Sequence, residues 1–589
     1  MNAINLVIGA ALFLVLAYRF YGAFLKAKAI TIDESRLTPA VRLNDNRDYV
    51  PTNKWIVLGH HFAAIAGAGP LIGPVLAAQF GYLPGTLWIL IGAVAAGAVH
   101  DVIILFASVR HDGLSLAEIA KREIGPFSGV ITSFAIILIL IVAMAGLALA
   151  VVNALYNSPW GTFTVGITIP IAIFIGIYIR YLRPNKIGEA TVLGVALVIL
   201  GVVLGPFIQN SSFAHYLTFN REQLTILLAS YGFLAAILPV WLLLAPRDYL
   251  STYMKIGTIL IIALGVIIVH PMIQMPAVTD FVHGHGPIIH GKVWPFMFIT
   301  IACGAISGFH SLIGSGTTPK MITNEKDIFP IGFGGMLIES FVSLMALIAA
   351  THLYPSDYYA INTTPEVFSK LDHSIRTVKE LPALSQMVGE NVAGRPGGAV
   401  SLAVGMTSIF SKIPFFKFLA SYWYHFAIMF EALFILTTID AGTRVGRYIL
   451  QEMGGHFYKP LKNIHWWPGV ILTGGFISFA WGFLVYGGSV STIWPLFGTA
   501  NQLLATMALA IGTSFLIRHG KAKYIWVTLI PLIFLAVTTI TAGIENITDD
   551  YYPKGMYLLT GISCFIIMMV LAMLIDSAIR WKIMLSEKS

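Results

Sequence analysis

The chain has 589 residues, of which 57% are hydrophobic and 11% charged, and its mean hydropathy is +0.80. A water-soluble globule ordinarily carries about 25% charged residues, so that class is excluded and an all-α polytopic membrane protein is indicated. The net charge of +8 is accounted for by loops between apolar runs, so no nucleic-acid partner is expected, and the two distant cysteines, Cys303 and Cys564, suggest neither a disulfide framework nor a thiolate metal site.

The first apolar run, 4–25, lacks a basic leader and a cleavage pattern and reads as a retained helix. The second, Trp55–Phe80, is long enough to span a bilayer, yet its middle reads Gly67-Ala68-Gly69-Pro70-Leu71-Ile72-Gly73-Pro74. Prolines four apart remove helical N–H groups and the glycines ease departure from helical dihedrals, so two half-helices are predicted, meeting at membrane depth. Backbone that leaves the helix inside hydrocarbon is tolerated only where protein or a polar cavity receives it, which makes the break a candidate binding site. A plain proline kink packed through small residues is the alternative. Further runs lie near 84–109, 126–152, 162–180, 188–208, 224–245, 256–275, 295–313, 329–351, 418–439, 466–486, 492–517, 524–543 and 557–579, giving about 15 transmembrane helices within a range of 15–18.

With the N-terminus outside, cytoplasmic loops hold 26 Lys and Arg and outside loops hold 9, the asymmetry of an N-out, C-in chain. Making 397–410 a further span would invert every later loop, so 397–412 is read as a re-entrant or interfacial segment and the polar stretch 352–396 as an extracellular lid. Five helices from Trp55 and five more from Leu224 to Asp440 begin on opposite sides. This predicts a 5+5 inverted repeat with extra helices, its leading helices broken, the second at Gly232 and Pro239. The expected divisions are a first helix and cytoplasmic loop (1–54), a ten-helix transport core (55–440) and C-terminal accessory helices (441–589).

Ionisable residues inside spans are expensive and mark function. His100 and Asp101 are adjacent in the third span, and Glu339 and Glu431 lie inside later ones; with His61 they are candidates for proton coupling, or else structural pairs tying helices together. Asp440, near a helix end, is within reach of interfacial water. Ser307–Lys320, SGFHSLIGSGTTPK, ends a span in a Gly, Ser and Thr cluster that offers backbone N–H groups to a carboxylate or simply caps a helix. Asn501 and Gln502 place two amides deep in a late span. The substrate-binding candidates are Gly67, Ala68, Gly69, Pro70, Gly73, Ser307, His310, Ser315, Gly316, Asn501 and Gln502. His283, His285 and His290 have metal-like spacing in an outside loop of a kind that often carries histidine without a ligand role, so no metal is assigned, and enzyme motifs are absent.

The segments NKWIVLGHHFAAIAGAGPLIGPVLAAQFGYLPG, GAVHDVIILFASVRHDGLSLAEIAK, FITIACGAISGFHSLIGSGTTPKMI and LFGTANQLLA together resemble the carbon starvation protein A (CstA) family, from near the N-terminus to about residue 520. The resemblance implies a multi-pass inner-membrane uptake protein induced when carbon is scarce, with members assigned to pyruvate/proton symport or peptide import. It also implies a LeuT/APC-like core followed by a carboxy-terminal helical region, and it carries over no site residues. The expectation is a secondary active transporter of small carboxylates or short peptides, coupled to protons, with no cofactor, with the solute and the lipid bilayer as partners, and with its oligomeric state left open. A sodium-coupled carrier and a nutrient-binding membrane sensor are the alternatives.

Overall fold

The computed structural model describes residues 1–45, 48–183, 186–239, 242–414, 416–455, 457–463 and 466–586, with the backbone alone at 187, 244–245, 248–249 and 252–253. Apart from isolated bridges, the described residues form helices and loops and no strand. Eleven helices among them are long and apolar enough to cross a membrane, and one bent pair makes a twelfth.

In chain order these are α1 (Ala3–Ile30), the pair α2 (Lys54–Ile65) and α3 (Gly69–Phe80) bent by 46°, α4 (Tyr82–Arg110), α5 (Pro126–Leu155), α6 (Pro159–Leu182) and α7 (Gly188–Gln209). Two shorter or partly described helices follow, α8 (Arg221–Ile237) and α9 (Leu244–Val269), then two half-helices, α10 (Val293–Thr300) and α11 (Gly308–Gly316). The chain continues as α12 (Glu325–His352), the short α13 (Ala399–Ser411), α14 (Lys417–Gly454), α15 (Trp467–Gly487), α16 (Val490–Arg518), α17 (Trp526–Tyr551) and α18 (Tyr557–Ser586).

Four sequence-based expectations are corrected. The predicted span 295–313 is two half-helices separated by residues 301–307. The expected break in 224–245 is absent at Gly232, because α8 stays wound through it; the helix ends before Pro239, where Arg444 donates to the carbonyls of Ala235 and Leu238 at 2.5 Å each, and residues 240–241 lie outside the described residues. Arg247 and Lys255, two of the 26 charges assigned to cytoplasmic loops, belong to α9 and are buried. Asp440, expected to reach interfacial water, is fully buried against Tyr231 (2.5 Å) and Arg247 (3.4 Å).

Backbone pairings between distant loops sort the chain into two faces. On one, Ala3 bonds Pro271, Tyr82 bonds Pro276, Thr279 bonds Phe80 and Gln274 bonds Thr351; on the other, Val50 bonds Lys320 and Thr52 bonds Met321. The α2–α3 pair therefore runs from the second face to the first, and α10–α11 runs the opposite way. The two interruptions meet in the interior, where there is no room for side chains. A Cβ on Gly73 would lie 2.5 Å from the Thr300 carbonyl oxygen, and one on Gly69 would fall on the Cys303 sulfur. The neighbours α5, α14 and α16 are buried almost throughout, whereas α1, α7 and α18 expose Leu12, Val192 and Ile575 as lipid-facing surfaces do.

The segment 352–396 folds back over α3. Tyr358, fully buried, donates its hydroxyl to the carbonyls of Val75 (2.7 Å) and Leu76 (3.1 Å), and Tyr359 donates to Gln79 (3.1 Å). Its far end is latched by Glu390, whose carboxylate meets Ser158 (2.5 Å), Arg395 (2.9 Å) and His425 (3.1 Å), the last stacked on Trp160. Burial pushes this carboxyl up, but His425, Arg395 and Ser158 together pull it further down, to about 2.

Two outcomes follow from this packing. Gly73→Ala forces a methyl onto rigid backbone, and overpacking of this kind costs about 1–3 kcal/mol. The detergent-solubilised variant is expected to melt earlier, while Gly9→Ala, with nothing within 4 Å, melts as the parent does. A glutamate held at about 2, below the ~4.3 of an unfolded chain, stabilises the latched segment above about pH 4 and loses that contribution as the pH falls further. Amide exchange across 381–396 is expected to rise about tenfold in Glu390→Gln at neutral pH, through loss of a charge-assisted bond, and in the parent only below about pH 4. Unchanged exchange would place the latch elsewhere.

Candidate functional site

The first break spans Ala66–Ala68, at the start of the Gly67–Pro74 run; Pro70 sits in the first turn of α3, where its missing N–H removes no helical bond, and only Pro74 lies inside the helix. The α2 carbonyls freed by the break are met by a cation. The Lys255 ammonium, reaching in from α9, donates to Ala63 O at 2.7 Å and Ala66 O at 3.2 Å and rests 4.1 Å from the Phe434 ring centre. A positive charge at a helix C-terminus is favoured by the helix dipole, more so away from water. Thr438 of α14 lies against Gly67 on the same side.

The second break is satisfied from α16. The Asn501 side-chain oxygen accepts from the Phe309 amide at 3.0 Å, capping α11, and the Asn501 amide group donates to Ser307 Oγ at 3.1 Å. The Gln502 amide donates to Phe298 O at 2.7 Å, closing the end of α10. These two amides hold the break open, and a backbone approach enforces it: a Cβ on Gly308 would meet the Asn501 carbonyl oxygen.

Beside the second break runs a buried chain of ionisable groups. His100 Nδ1 lies 2.7 Å from one Asp101 oxygen and His310 Nδ1 2.8 Å from the other, so the carboxylate fixes both rings. His310 Nε2 then lies 3.1 Å from Glu339 Oε2. That last pair is not aligned for a hydrogen bond, and neither Glu339 oxygen has a hydrogen-bond partner in the structure. Cys303 Sγ joins this end: it, a His310 nitrogen and a Glu339 oxygen lie within 4.8 Å of one another, the one such group among the described residues.

The structure thus brings together Gly67, Ala68, Gly69, Pro70, Gly73, Ser307, His310, Asn501, His100, Asp101 and Glu339 around the two breaks. His61 lies nearer the second face, its Nδ1 2.8 Å from Thr318 Oγ1. Ser315 and Gly316 sit at the far end of α11, where Ser315 O accepts from Ser108. Glu431 is buried in α14 three residues before Phe434, with no hydrogen-bond partner for either oxygen. His283, His285 and His290 form no such three-ligand group. Lys255 and Cys303 were missed. Hydropathy trims a lysine off the end of an apolar run, and a single cysteine among small residues reads as packing; extending the 256–275 helix by one turn is the signal that would have placed Lys255 inside it.

Three relatives place the chain. It is 50% identical to "Peptide transporter CstA" of Bacillus subtilis (strain 168), over 100% of this chain and 98% of that one. It is 48% identical to "Peptide transporter CstA" of Escherichia coli (strain K12), over 92% and 81%, and 45% identical to "Pyruvate/proton symporter BtsT" of the same strain, over 94% and 83%. Among solved structures, a manganese transporter of Eremococcus coleocola in complex with an aromatic bis-isothiourea compound aligns over 92% of this chain and 99% of that one, with a TM-score of 0.45 at 15% identity. The family model described as "Carbon starvation protein CstA" matches residues 2–542. With that match and relatives at 45–50% identity over nearly its whole length, the chain belongs to the carbon starvation protein CstA family.

Proposed function

We propose that this protein is a secondary active transporter that imports short peptides or pyruvate with protons, across the cytoplasmic membrane of a cell short of carbon. The observation that carries the reading is the crossing of two interrupted helices of opposite direction, because it gathers a positive helix end, a cation and a carboxylate–imidazole chain at one depth. Relatives named for peptide transport and for pyruvate/proton symport support the substrate class: both solutes carry a carboxylate, which the N-terminal end of α3 and the Lys255 ammonium attract.

In this reading the antiparallel interrupted helices lead two inverted halves that rock about the site, the chain crosses about fifteen times with its N-terminus outside, and 352–396 is the outer lid. Lys255 favours protons over sodium as the coupling ion. Freed helix carbonyls are the usual ligands of a coupling sodium ion, and here the chain's own ammonium stands on them. Lys255 carries the exchanged proton, with Glu431, one turn from the ring beneath it, as the second buried carrier. Deprotonation of the lysine releases α2 and lets the break reorganise.

Proteoliposomes given an inward proton gradient are expected to accumulate labelled pyruvate or a labelled dipeptide, to lose accumulation on adding a protonophore, and to ignore replacement of sodium by choline. Uptake indifferent to the proton gradient would exclude proton coupling, and loss of uptake in choline would restore the sodium reading. Lys255→Gln is expected to keep solute exchange while uphill accumulation falls about tenfold or more, the scale of one charge-assisted bond. Undiminished accumulation would remove Lys255 from the coupling step.

A further inference from the structure

We propose that Cys303, His310 and Glu339 form a binding site for a borderline divalent metal ion such as Zn²⁺ or Co²⁺, with open coordination positions that chelate the transported solute; the second clause rests on the carrier reading above.

The geometry is that of a metal site assembled by tertiary structure. Thiolate, imidazole and carboxylate are the donors that borderline ions take, and here one atom of each lies within 4.8 Å of the others, in residues almost wholly enclosed by protein. His310 Nε2 and Glu339 Oε2 face each other at 3.1 Å without a hydrogen bond, and both Glu339 oxygens are orphaned. What sets this pair apart from other orphaned buried atoms is convergence: two lone-pair donors and a thiol meet at one point, where a shared cation would satisfy them together. The surrounding contacts also suit a metal. The other His310 nitrogen is held by Asp101 at 2.8 Å, the carboxylate that orients a ligating imidazole, and Cys303 Sγ receives the Asn501 amide at 3.5 Å and contacts Ser307 Oγ at 3.4 Å. Three protein ligands leave positions open, as in sites where a metal engages a small molecule.

Open positions on such an ion would give peptides and pyruvate a common chemistry. A 2-oxo acid binds a metal through a carboxylate oxygen and its keto oxygen, and a peptide binds through its terminal amine and first carbonyl oxygen. Each closes a five-membered chelate ring. No sequence motif announces the site, because Cys303 lies in the unwound segment, His310 on the half-helix after it and Glu339 on α12.

Cobalt titrated into the full-length protein, purified in detergent and stripped of metal, tests this without any transport step. The expected result is one equivalent bound with a near-ultraviolet thiolate-to-cobalt charge-transfer band, lost in Cys303→Ser and kept in Cys564→Ser. Asp101→Asn is expected to weaken binding about 10–100-fold, as loss of an orienting carboxylate does. Adding pyruvate or a dipeptide should then shift the visible cobalt spectrum. No stoichiometric binding, or a band that survives Cys303→Ser, would overturn the site. A visible spectrum indifferent to both solutes would overturn the chelate. Either failure leaves the proteoliposome test of the carrier reading intact.

Discussion

A peptide group that leaves the helix inside a membrane finds no water, and each unmet N–H or C=O there costs several kcal/mol. This protein breaks two helices at the same depth and meets the cost from elsewhere in the chain. Lys255 of α9 closes the carbonyl end of the first break, and Asn501 and Gln502 of α16 close the second. The glycines at 69, 73 and 308 are what let the backbones approach closely enough for those partners to reach. Helices distant in sequence are thereby tied to one point, and the ionisable chain from His100 to Glu339 is buried in the same enclosure.

The two ends of the crossing are covered by different devices. On the face that holds the N-terminus, the 352–396 segment places Tyr358 and Tyr359 on the carbonyls at the end of α3 and is latched by Glu390. On the opposite face, buried Glu325 receives Arg110 at 2.8 Å and the Asp33 amide at 3.0 Å, while the 49–52 strap lies along residues 320–321. The first cover is a packed aromatic surface with one ion cluster and the second is mostly charge and backbone pairing. Under the proposed carrier reading, alternating access requires that one set let go while the other holds, and their different chemistry suits separate release.

What was legible in the sequence follows the range of the forces involved. The first break could be read because prolines and glycines act on their own backbone, and the membrane class and most spans could be read because hydropathy is a local sum. The second break could not: residues 301–307, IACGAIS, contain no proline and one glycine, and the segment unwinds because α3 and α16 crowd it. Asp101, His310, Glu339 and Asn501 could be singled out one by one as polar residues in lipid-length runs, yet their mutual contacts exist only in the fold. Lys255 and Arg247 were assigned to a loop because a hydropathy window ends where a charge begins, whereas Arg247 is buried against Asp440 and Lys255 against helix carbonyls.

The contact between the two breaks is tested most directly by tying them together. Gly69→Cys, in a Cys564→Ser background, places a second thiol beside native Cys303: a Cβ at position 69 would stand 2.6 Å from the Cys303 Cβ, closer than the ~3.8 Å a disulfide spans, so the two half-helices part by about an ångström to admit the bond. Mild oxidation is expected to join positions 69 and 303 within one chain, read as a cross-linked peptide by mass spectrometry, and to arrest uptake until a reductant is added. Folded protein that yields no such cross-link would contradict the meeting of the two interrupted helices, and with it the site built on them.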